Sequence, residues 1–170
     1  MKTLFRYASS FVAPIVICLL FPYWIVRSGG QTIAGALQGA PALRLVAGGA
    51  ITAAALTLFI LTVRMFILIG KGTIMPWDPT RHLITGSLYA HVRNPMILSV
   101  LSFILGEAIL FASAWIALEA AVFYGVNSIY FIFSEEPGLE KRFGGEYTEY
   151  KKNVPRWVPR LKPWQPSGTE

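Results

Sequence analysis

The clearest shortage in this sequence is of charged residues. Only 14% of its 170 residues are Asp, Glu, Lys or Arg, whereas soluble domains carry about a quarter. Hydrophobic residues make up 54% of the chain, which is more apolar surface than a soluble fold of this length can bury. The composition therefore excludes an ordinary soluble domain and predicts an all-α integral membrane protein.

Cysteine is also nearly absent. The single thiol, Cys18, lies in an apolar run, so a disulfide framework is excluded. The two histidines, His82 and His91, have no cysteine or carboxylate at ligand spacing, and we expect no metal site. Neither a G-x-G-x-x-G nor a G-x-x-x-x-G-K-[ST] pattern occurs, which argues against Rossmann and P-loop nucleotide binding.

Long apolar segments are what the chain has instead. About four transmembrane helices are predicted: one over 11–26, one over 45–69, and two that share 95–133. As a single helix at 1.5 Å per residue, the last segment would far exceed the ~30 Å thickness of a bilayer core. It therefore predicts a helical hairpin that turns near 111–113.

Two carboxylates interrupt this hairpin close to its turn. Glu107 and Glu119 are expected to be solvated groups at the membrane interface, because a charge near the bilayer centre costs about 2.5–3.5 kcal/mol. A functional carboxylate pair is the alternative. The glycines Gly35 and Gly39 form a small-xxx-small pair that predicts a close helix contact only weakly.

The basic residues indicate the orientation of the chain. The net charge is +6, and most lysines and arginines fall in the N-terminus, the 71–94 loop and the C-terminal tail. The positive-inside rule places these segments, and thus both termini, on the cytoplasmic side of a multi-pass protein. The same clustering is typical of contact with anionic membrane lipids, and we expect no nucleic-acid partner.

The tail after the last span has a different pattern. One apolar stripe with spacings of three and four residues runs along it: Leu139, Phe143, Tyr147, Tyr150 and Val154. Gly144 and Gly145 should break the segment into two helices. We expect an amphipathic segment lying along the membrane interface.

A polar group of residues, HVRNPM at 91–96, precedes the hairpin. Because proline suits the first turn of a helix, the third span should begin at Pro95. Glu135 and Glu136 follow the fourth span, so the hairpin should return them to the neighbourhood of Arg93. A simple interfacial salt bridge is one interpretation, although such pairs contribute only ~0–1 kcal/mol. A polar pocket between cytosol and lipid is the other.

These residues form a pattern resembling a known family. It reads G-x-x-Y-x-x-V-R-N-P-M over Gly86–Met96 and E-E-x-x-L-x-x-x-F-G-x-E-Y-x-x-Y-x-x-x-V-P-R over Glu135–Arg156. The two motifs, joined by a hairpin, resemble the isoprenylcysteine carboxyl methyltransferase family and its phospholipid N-methyltransferase relatives. The resemblance covers roughly Lys71–Pro159.

The resemblance implies a membrane methyltransferase that uses S-adenosylmethionine and methylates a lipophilic acceptor, by O- or N-methyl transfer, at the cytoplasmic interface. Arg93 and Glu136 are the implied catalytic residues. The implied cofactor-binding residues are Tyr89, His91, Arg93, Asn94, Pro95, Met96, Glu135 and Glu136. Residues 1–70 would be an N-terminal helical region, 71–160 the methyltransferase-like region, and 161–170 a disordered end.

The sequence also departs from the family pattern. Asn94, Ile97 and Ser99 stand where the family more often has histidine, tyrosine and glycine, and no basic residue occurs in 130–134. These differences leave a second hypothesis open: a non-catalytic membrane interaction or lipid-binding module that retains the fold. Whether the chain forms a homo-oligomer is also left open.

Overall fold

The computed structural model describes residues 11–70 and 80–166. Within them every regular element is helical and no strand occurs, which confirms the predicted all-α class. The basic N-terminus, the first part of the 71–94 loop and the last residues of the tail lie outside the described residues. The helices are α1 (Val12–Ser28), α2 (Ile33–Leu37), α3 (Ala42–Gly70), α4 (Pro95–Phe111), α5 (Ala114–Tyr130) and α6 (Glu136–Asn153).

Within residues 11–70 and 80–166, two helical runs are long and apolar enough to cross a membrane. They are α3 and the continuous run Ala114–Asn153, in which a π turn at Phe131–Glu135 joins α5 to α6. The other apolar helices, α1 and α4, are shorter than the ~20 residues that a span normally needs. Part of α1 is also widened into a π turn, just before Pro22, which cannot donate a backbone hydrogen bond.

The turn between α4 and α5 lies where the sequence predicts it. Ala112 has a φ of 48°, in the left-handed region, and Ser113 donates its backbone N–H to Ala108 at 3.0 Å. The N–H of Ala112 bonds to Ile109 at 3.2 Å. This pair of bonds closes the end of a helix in a Schellman arrangement. The Ser113 hydroxyl then caps α5 by accepting a hydrogen bond from Ile116 at 3.3 Å.

The chain divides into two compact units, and α3, α4 and α5 contribute residues to both. Unit 1 comprises residues 1–59 and 99–125, and unit 2 comprises 60–98 and 126–170. The core of unit 1 is aliphatic, and its fully buried centre is Ile104 and Ile116.

A close contact between glycines joins α3 and α4 in unit 1. A Cβ added to Gly48 would meet the backbone of Leu110 at 2.9 Å, and one added to Gly106 would meet the backbone of Thr52 at 2.9 Å. The Thr52 hydroxyl donates to the Gly48 carbonyl at 2.8 Å. Small residues allow the two backbones to approach. The pair Gly35 and Gly39 noted in the sequence makes no comparable helix contact.

Glu107 and Glu119 differ from the expectation of solvated interfacial groups. Glu107 is only 8% exposed. One of its carboxylate oxygens, and both of those of Glu119, are buried with no hydrogen-bond partner among the described residues. The expectation was wrong because it considered only distance from the turn, whereas both side chains point toward the apolar interior of unit 1.

Unit 2 has an aromatic core built on α6. As predicted, this helix is broken at Gly144, whose φ of 54° and ψ of −128° are not helical. The apolar stripe of the tail packs within the protein, against Ile84 and Tyr89. Trp164 extends this core by packing on Tyr150, with ring centroids 5.6 Å apart. The stripe therefore forms the core of unit 2, which the sequence-based interfacial assignment did not anticipate.

Candidate functional site

The polar motif of unit 2 is presented by a short 3₁₀ helix, Ser87–Ala90, that leads into α4. Ser87 has a φ of 54°, and the backbone N–H of His91 closes the turn on Leu88 at 3.1 Å. The helix α4 then begins at Pro95, as predicted, because proline needs no hydrogen-bond acceptor in the first turn. The Asn94 carbonyl accepts the first helical hydrogen bond.

The segment after α6 holds this motif in place through backbone hydrogen bonds. Arg93 donates its N–H to Pro155 at 2.9 Å, and Trp164 donates to Ala90 at 3.0 Å. Arg160 donates its N–H to the His91 carbonyl at 2.9 Å. In return, Nδ1 of His91 lies 2.8 Å from the Arg160 carbonyl, which requires that this nitrogen carry the proton. His91 therefore fastens the tail to the motif.

Glu136 is the centre of an ion-pair cluster behind the motif. Its Oε1 accepts from Arg93 at 2.9 Å and from Arg156 at 2.6 Å, and its Oε2 lies 3.1 Å from Nζ of Lys151. Its side chain is only 4% exposed. Lys151 also pairs with Glu140 at 2.9 Å. Three cations surround one buried carboxylate, so the interior charge of Glu136 is compensated.

The electrostatics of Glu136 follow from these contacts. Burial alone would raise the pKa of the carboxyl, but hydrogen bonds from Arg156 and Lys151 and the charge of Arg93 outweigh it. The pKa of Glu136 is therefore lowered, and the group is ionised at neutral pH. Hydrogen bonds to Glu140 and Glu136 likewise raise the pKa of Lys151.

Beside this cluster, unit 2 contains a cavity of about 510 Å³. That volume is within the range of small-molecule sites in proteins, roughly 300–1,000 Å³. Aromatic and aliphatic side chains make up most of its wall: Phe66, Leu83, Ile84, Tyr89, Met96, Ile97, Tyr130, Phe131, Leu139, Tyr147 and Tyr150. The polar contributors are Thr80, Arg93, Asn94, Asn127, Ser134, Glu135 and Arg142.

Some of the residues assigned from the sequence line this cavity and others do not. Five of them contribute to the wall: Tyr89, Arg93, Asn94, Met96 and Glu135. His91, Pro95 and Glu136 lie outside it: His91 bonds to the tail, Pro95 is buried at the start of α4, and Glu136 is enclosed by its cations. The structure thus brings Arg93 and Glu135 to one cavity from opposite ends of the hairpin.

Two tyrosines in the wall, Tyr147 and Tyr150, were identified in the sequence as part of the apolar stripe and of the second motif, but were given no role at the site. Tyr150 donates its hydroxyl to the Tyr89 carbonyl at 2.7 Å, and its ring lies 6.2 Å from that of Tyr147. Burial raises the pKa of the Tyr89 and Tyr150 phenols well above the usual value. Both hydroxyls are therefore neutral at physiological pH. The Tyr147 and Tyr150 rings belong to the E-Y-x-x-Y part of the second motif, so the sequence did contain a signal for them.

Arg156 and Lys151 were also missed as partners of Glu136. Arg156 is the last residue of the V-P-R end of the second motif. The sequence therefore marked Arg156, but nothing in the motif indicated that it pairs with Glu136. Lys151 lies four residues from Tyr147 on α6, which places it near Glu136 only once the helix is broken at Gly144.

One buried polar atom at the cavity lacks a partner. The Nε of Arg93 is buried, and no described residue accepts its hydrogen bond. The Nη1 of the same guanidinium is occupied by Glu136 at 2.9 Å and Tyr147 at 3.4 Å. An unused donor on a cation that lines a cavity fits an anionic group of a ligand. Across the wall, Glu135 offers a carboxylate, and one of its oxygens accepts from Tyr130 at 3.2 Å.

Comparison with protein families gives an identification that agrees with the two motifs. The family model of phospholipid methyltransferases matches residues 43–146, more than half of the chain. The match includes most of α3, which the motif resemblance had left out, and it ends before Arg156. No curated protein matches the sequence. The chain belongs to the phospholipid methyltransferase family, and so to a family of methyltransferases that act on lipid-related substrates.

Proposed function

We propose that the protein is an S-adenosylmethionine-dependent methyltransferase that acts on a lipophilic acceptor dissolved in the membrane. The observation that carries the proposal is the cavity of unit 2, which joins Arg93 and Asn94 to Glu135. Family membership supports methyl transfer. The cavity combines an apolar wall with a few polar groups of both charges, as a site for a zwitterionic cofactor and a greasy acceptor requires.

The residues of the wall fit the charged groups of the cofactor. The unused Nε of Arg93 would donate to its carboxylate, and Glu135 would accept from its ammonium group. The faces of Tyr89 and Phe131 would stabilise a sulfonium by cation–π attraction, which is strongest where water is excluded. His91 and Glu136 would act from behind the wall.

Methyl transfer requires little acid–base catalysis from the protein. When bound, S-adenosylmethionine supplies an electrophilic methyl group for in-line displacement. The wall residues would align the acceptor and keep water out, which is the main contribution available to such a reaction. Asn94 can donate and accept hydrogen bonds but does not titrate near neutral pH. No proton-transfer role is therefore assigned to it.

Glu136 is proposed as a positioning residue. Both of its oxygens are occupied by cations, and its side chain does not line the cavity. Its role would be to hold the Arg93 guanidinium so that Nε faces the ligand. Removing the buried carboxylate that these cations share should therefore weaken the cofactor site without any direct contact being lost.

For the membrane topology we propose four spans, α1, α3, α4 and α5, with both termini cytoplasmic. The two long runs supply two of these spans. The apolar character of α1 and α4 and the position of the basic residues support the other two and the orientation. The cavity would then open at the cytoplasmic interface.

The decisive experiment measures cofactor binding and methyl transfer separately. Purified protein in detergent should bind S-adenosylhomocysteine saturably in calorimetry. Arg93→Ala should lose at least tenfold in affinity, whereas Lys152→Gln, at an exposed position of α6, should bind as the wild type does. No saturable binding by the wild type would refute the cofactor assignment.

The methyl acceptor is identified by incubation with radiolabelled S-adenosylmethionine and total membrane lipid. Label should enter a species that organic solvent extracts. Cofactor binding without any labelled lipid would instead favour the non-catalytic lipid-binding module.

A further inference from the structure

Arg142 is the cavity-lining cation that the proposed cofactor site does not use. It lies on α6, is exposed to solvent, and contributes to the wall of the cavity. Its guanidinium lies 5.4 Å from the centroid of the Phe143 ring. Its Nε and Nη1 donate to the carbonyls of Gly138 and Thr80 at 3.4 and 3.3 Å. Both hydrogen bonds are long, so they orient the group without saturating it.

Arg142 also differs from the other cations nearby in its pairing with carboxylates. Arg93, Lys151 and Arg156 all pair with the carboxylate of Glu136. In the part of the chain that the structure describes, no carboxylate forms an ion pair with Arg142. The Phe143 ring and the carbonyls of Gly138 and Thr80 hold this charge at the exposed part of the cavity wall.

We propose that Arg142 binds the phosphate of the acceptor's headgroup. The guanidinium presents a planar set of donors that matches two phosphate oxygens, and its remaining donors are available for such a bond. Exposure favours a lipid phosphate, which stays hydrated at the interface while its tails remain in the membrane. This inference rests on the proposed function, because it takes the cavity as the site where the acceptor meets the cofactor.

Two anions could reach this cation: the lipid phosphate and the carboxylate of the cofactor. In the proposed cofactor site, the buried Nε of Arg93 donates a hydrogen bond to that carboxylate. We therefore assign Arg142 to the phosphate. Replacing Arg142 should weaken lipid binding if it binds the phosphate, and cofactor binding if it binds the carboxylate.

The test is a binding experiment that does not depend on turnover. Purified protein in detergent, saturated with S-adenosylhomocysteine, is titrated with dihexanoyl phosphatidylethanolamine and with dihexanoylglycerol, which has the same tails and no phosphate. The wild type should bind the phospholipid at least tenfold more tightly. Arg142→Gln should remove most of that preference. Arg142→Lys keeps the charge but lacks the planar set of guanidinium donors, so it should retain a part of the preference.

Lys141→Gln is the matched control, because it removes one positive charge from the neighbouring exposed position that does not line the cavity. It should keep the wild-type preference. The proposal is overturned if the wild type binds both lipids equally or if Arg142→Gln keeps the preference. It is also overturned if Lys141→Gln loses as much of the preference for the phospholipid as Arg142→Gln does, because the effect would then be a general attraction between charges.

Failure of this inference is distinguishable from failure of the proposed function. S-adenosylhomocysteine affinity in Arg142→Gln should stay within twofold of the wild type. A tenfold loss would reassign Arg142 to the cofactor carboxylate and overturn the phosphate assignment, while leaving the methyltransferase proposal intact. Methyl transfer by the wild type, measured with radiolabelled S-adenosylmethionine, tests the proposed function independently.

Discussion

Arg93 and Glu136 form a buried ion pair with a distance of 2.9 Å between Nη1 and Oε1, although 43 positions separate them in the chain. Their side chains are 10% and 4% exposed. One precedes α4 and the other begins α6, so the pair ties both ends of the hairpin region within unit 2. The pair therefore fixes the guanidinium of Arg93 at the wall of the cavity.

Arg93→Lys should separate charge from geometry at the cofactor site. Lysine keeps the positive charge near Glu136 but has no Nε–H in a planar fork. Loss of one hydrogen bond to a charged group corresponds to about 1.5–3 kcal/mol, so affinity for S-adenosylhomocysteine should fall roughly tenfold to a hundredfold. Calorimetry measures the loss. An unchanged affinity would remove Arg93 from cofactor contact.

Acid should destabilise unit 2 through Glu136. Its folded-state pKa is lowered, so the stabilisation is complete above the unfolded-state value of about 4.3 and is lost as pH falls through the lower folded value. The Tm in detergent should therefore decrease as the pH is lowered from about 5 through the folded-state pKa of Glu136. Glu136→Gln should start from a lower Tm at neutral pH and show a weaker fall. Parallel curves for the two proteins would contradict this linkage.

The contact between α3 and α4 should not tolerate a methyl group. Gly106→Ala and Gly48→Ala place a Cβ against backbone atoms, and overpacking of this kind costs about 1–3 kcal/mol. Gly49→Ala is the matched control, because nothing lies within 4 Å of its Cβ position. It should leave stability unchanged or raise it, since alanine favours helix over glycine. Thermal unfolding followed by tryptophan fluorescence distinguishes the three variants.

Tyr150→Phe should weaken the motif from the tail side. The variant removes the hydroxyl that donates to the Tyr89 carbonyl at 2.7 Å and leaves that buried acceptor unpaired, at a cost of about 1–3 kcal/mol. Tyr23→Phe, at an exposed ring in α1, serves as the control and should have no effect. Equal Tm values for Tyr150→Phe and the wild type would show that this bond does not support the motif.

Much of the local structure was predictable, because it depends on neighbours in the chain. Apolar run length and proline position predicted where α4 begins, and two small residues after Phe111 allowed the turn into α5. A glycine predicted the break in α6. Each of these features is controlled by backbone chemistry within a few residues.

Features that depend on packing between distant segments were harder to predict. The burial of Glu107 was missed because a helical position does not say which face meets a neighbouring helix. The contact of Gly48 with Gly106 joins two helices far apart in the chain, whereas the pair at Gly35 attracted attention by simple spacing. The capture of Glu136 by Lys151 and Arg156 required the tail to fold back.

The sequence by itself determined an all-helical, apolar chain, the positions of its long apolar helices and its family motifs, since composition, periodicity and proline or glycine positions act locally. Only the tertiary structure decided which motif residues line the cavity and which stand behind it. Burial and charge compensation made that distinction: Glu136 is enclosed by cations, whereas Glu135, its neighbour in the chain, lines the cavity. Adjacent residues on a helix point in different directions, so their surroundings cannot be derived from the chain alone.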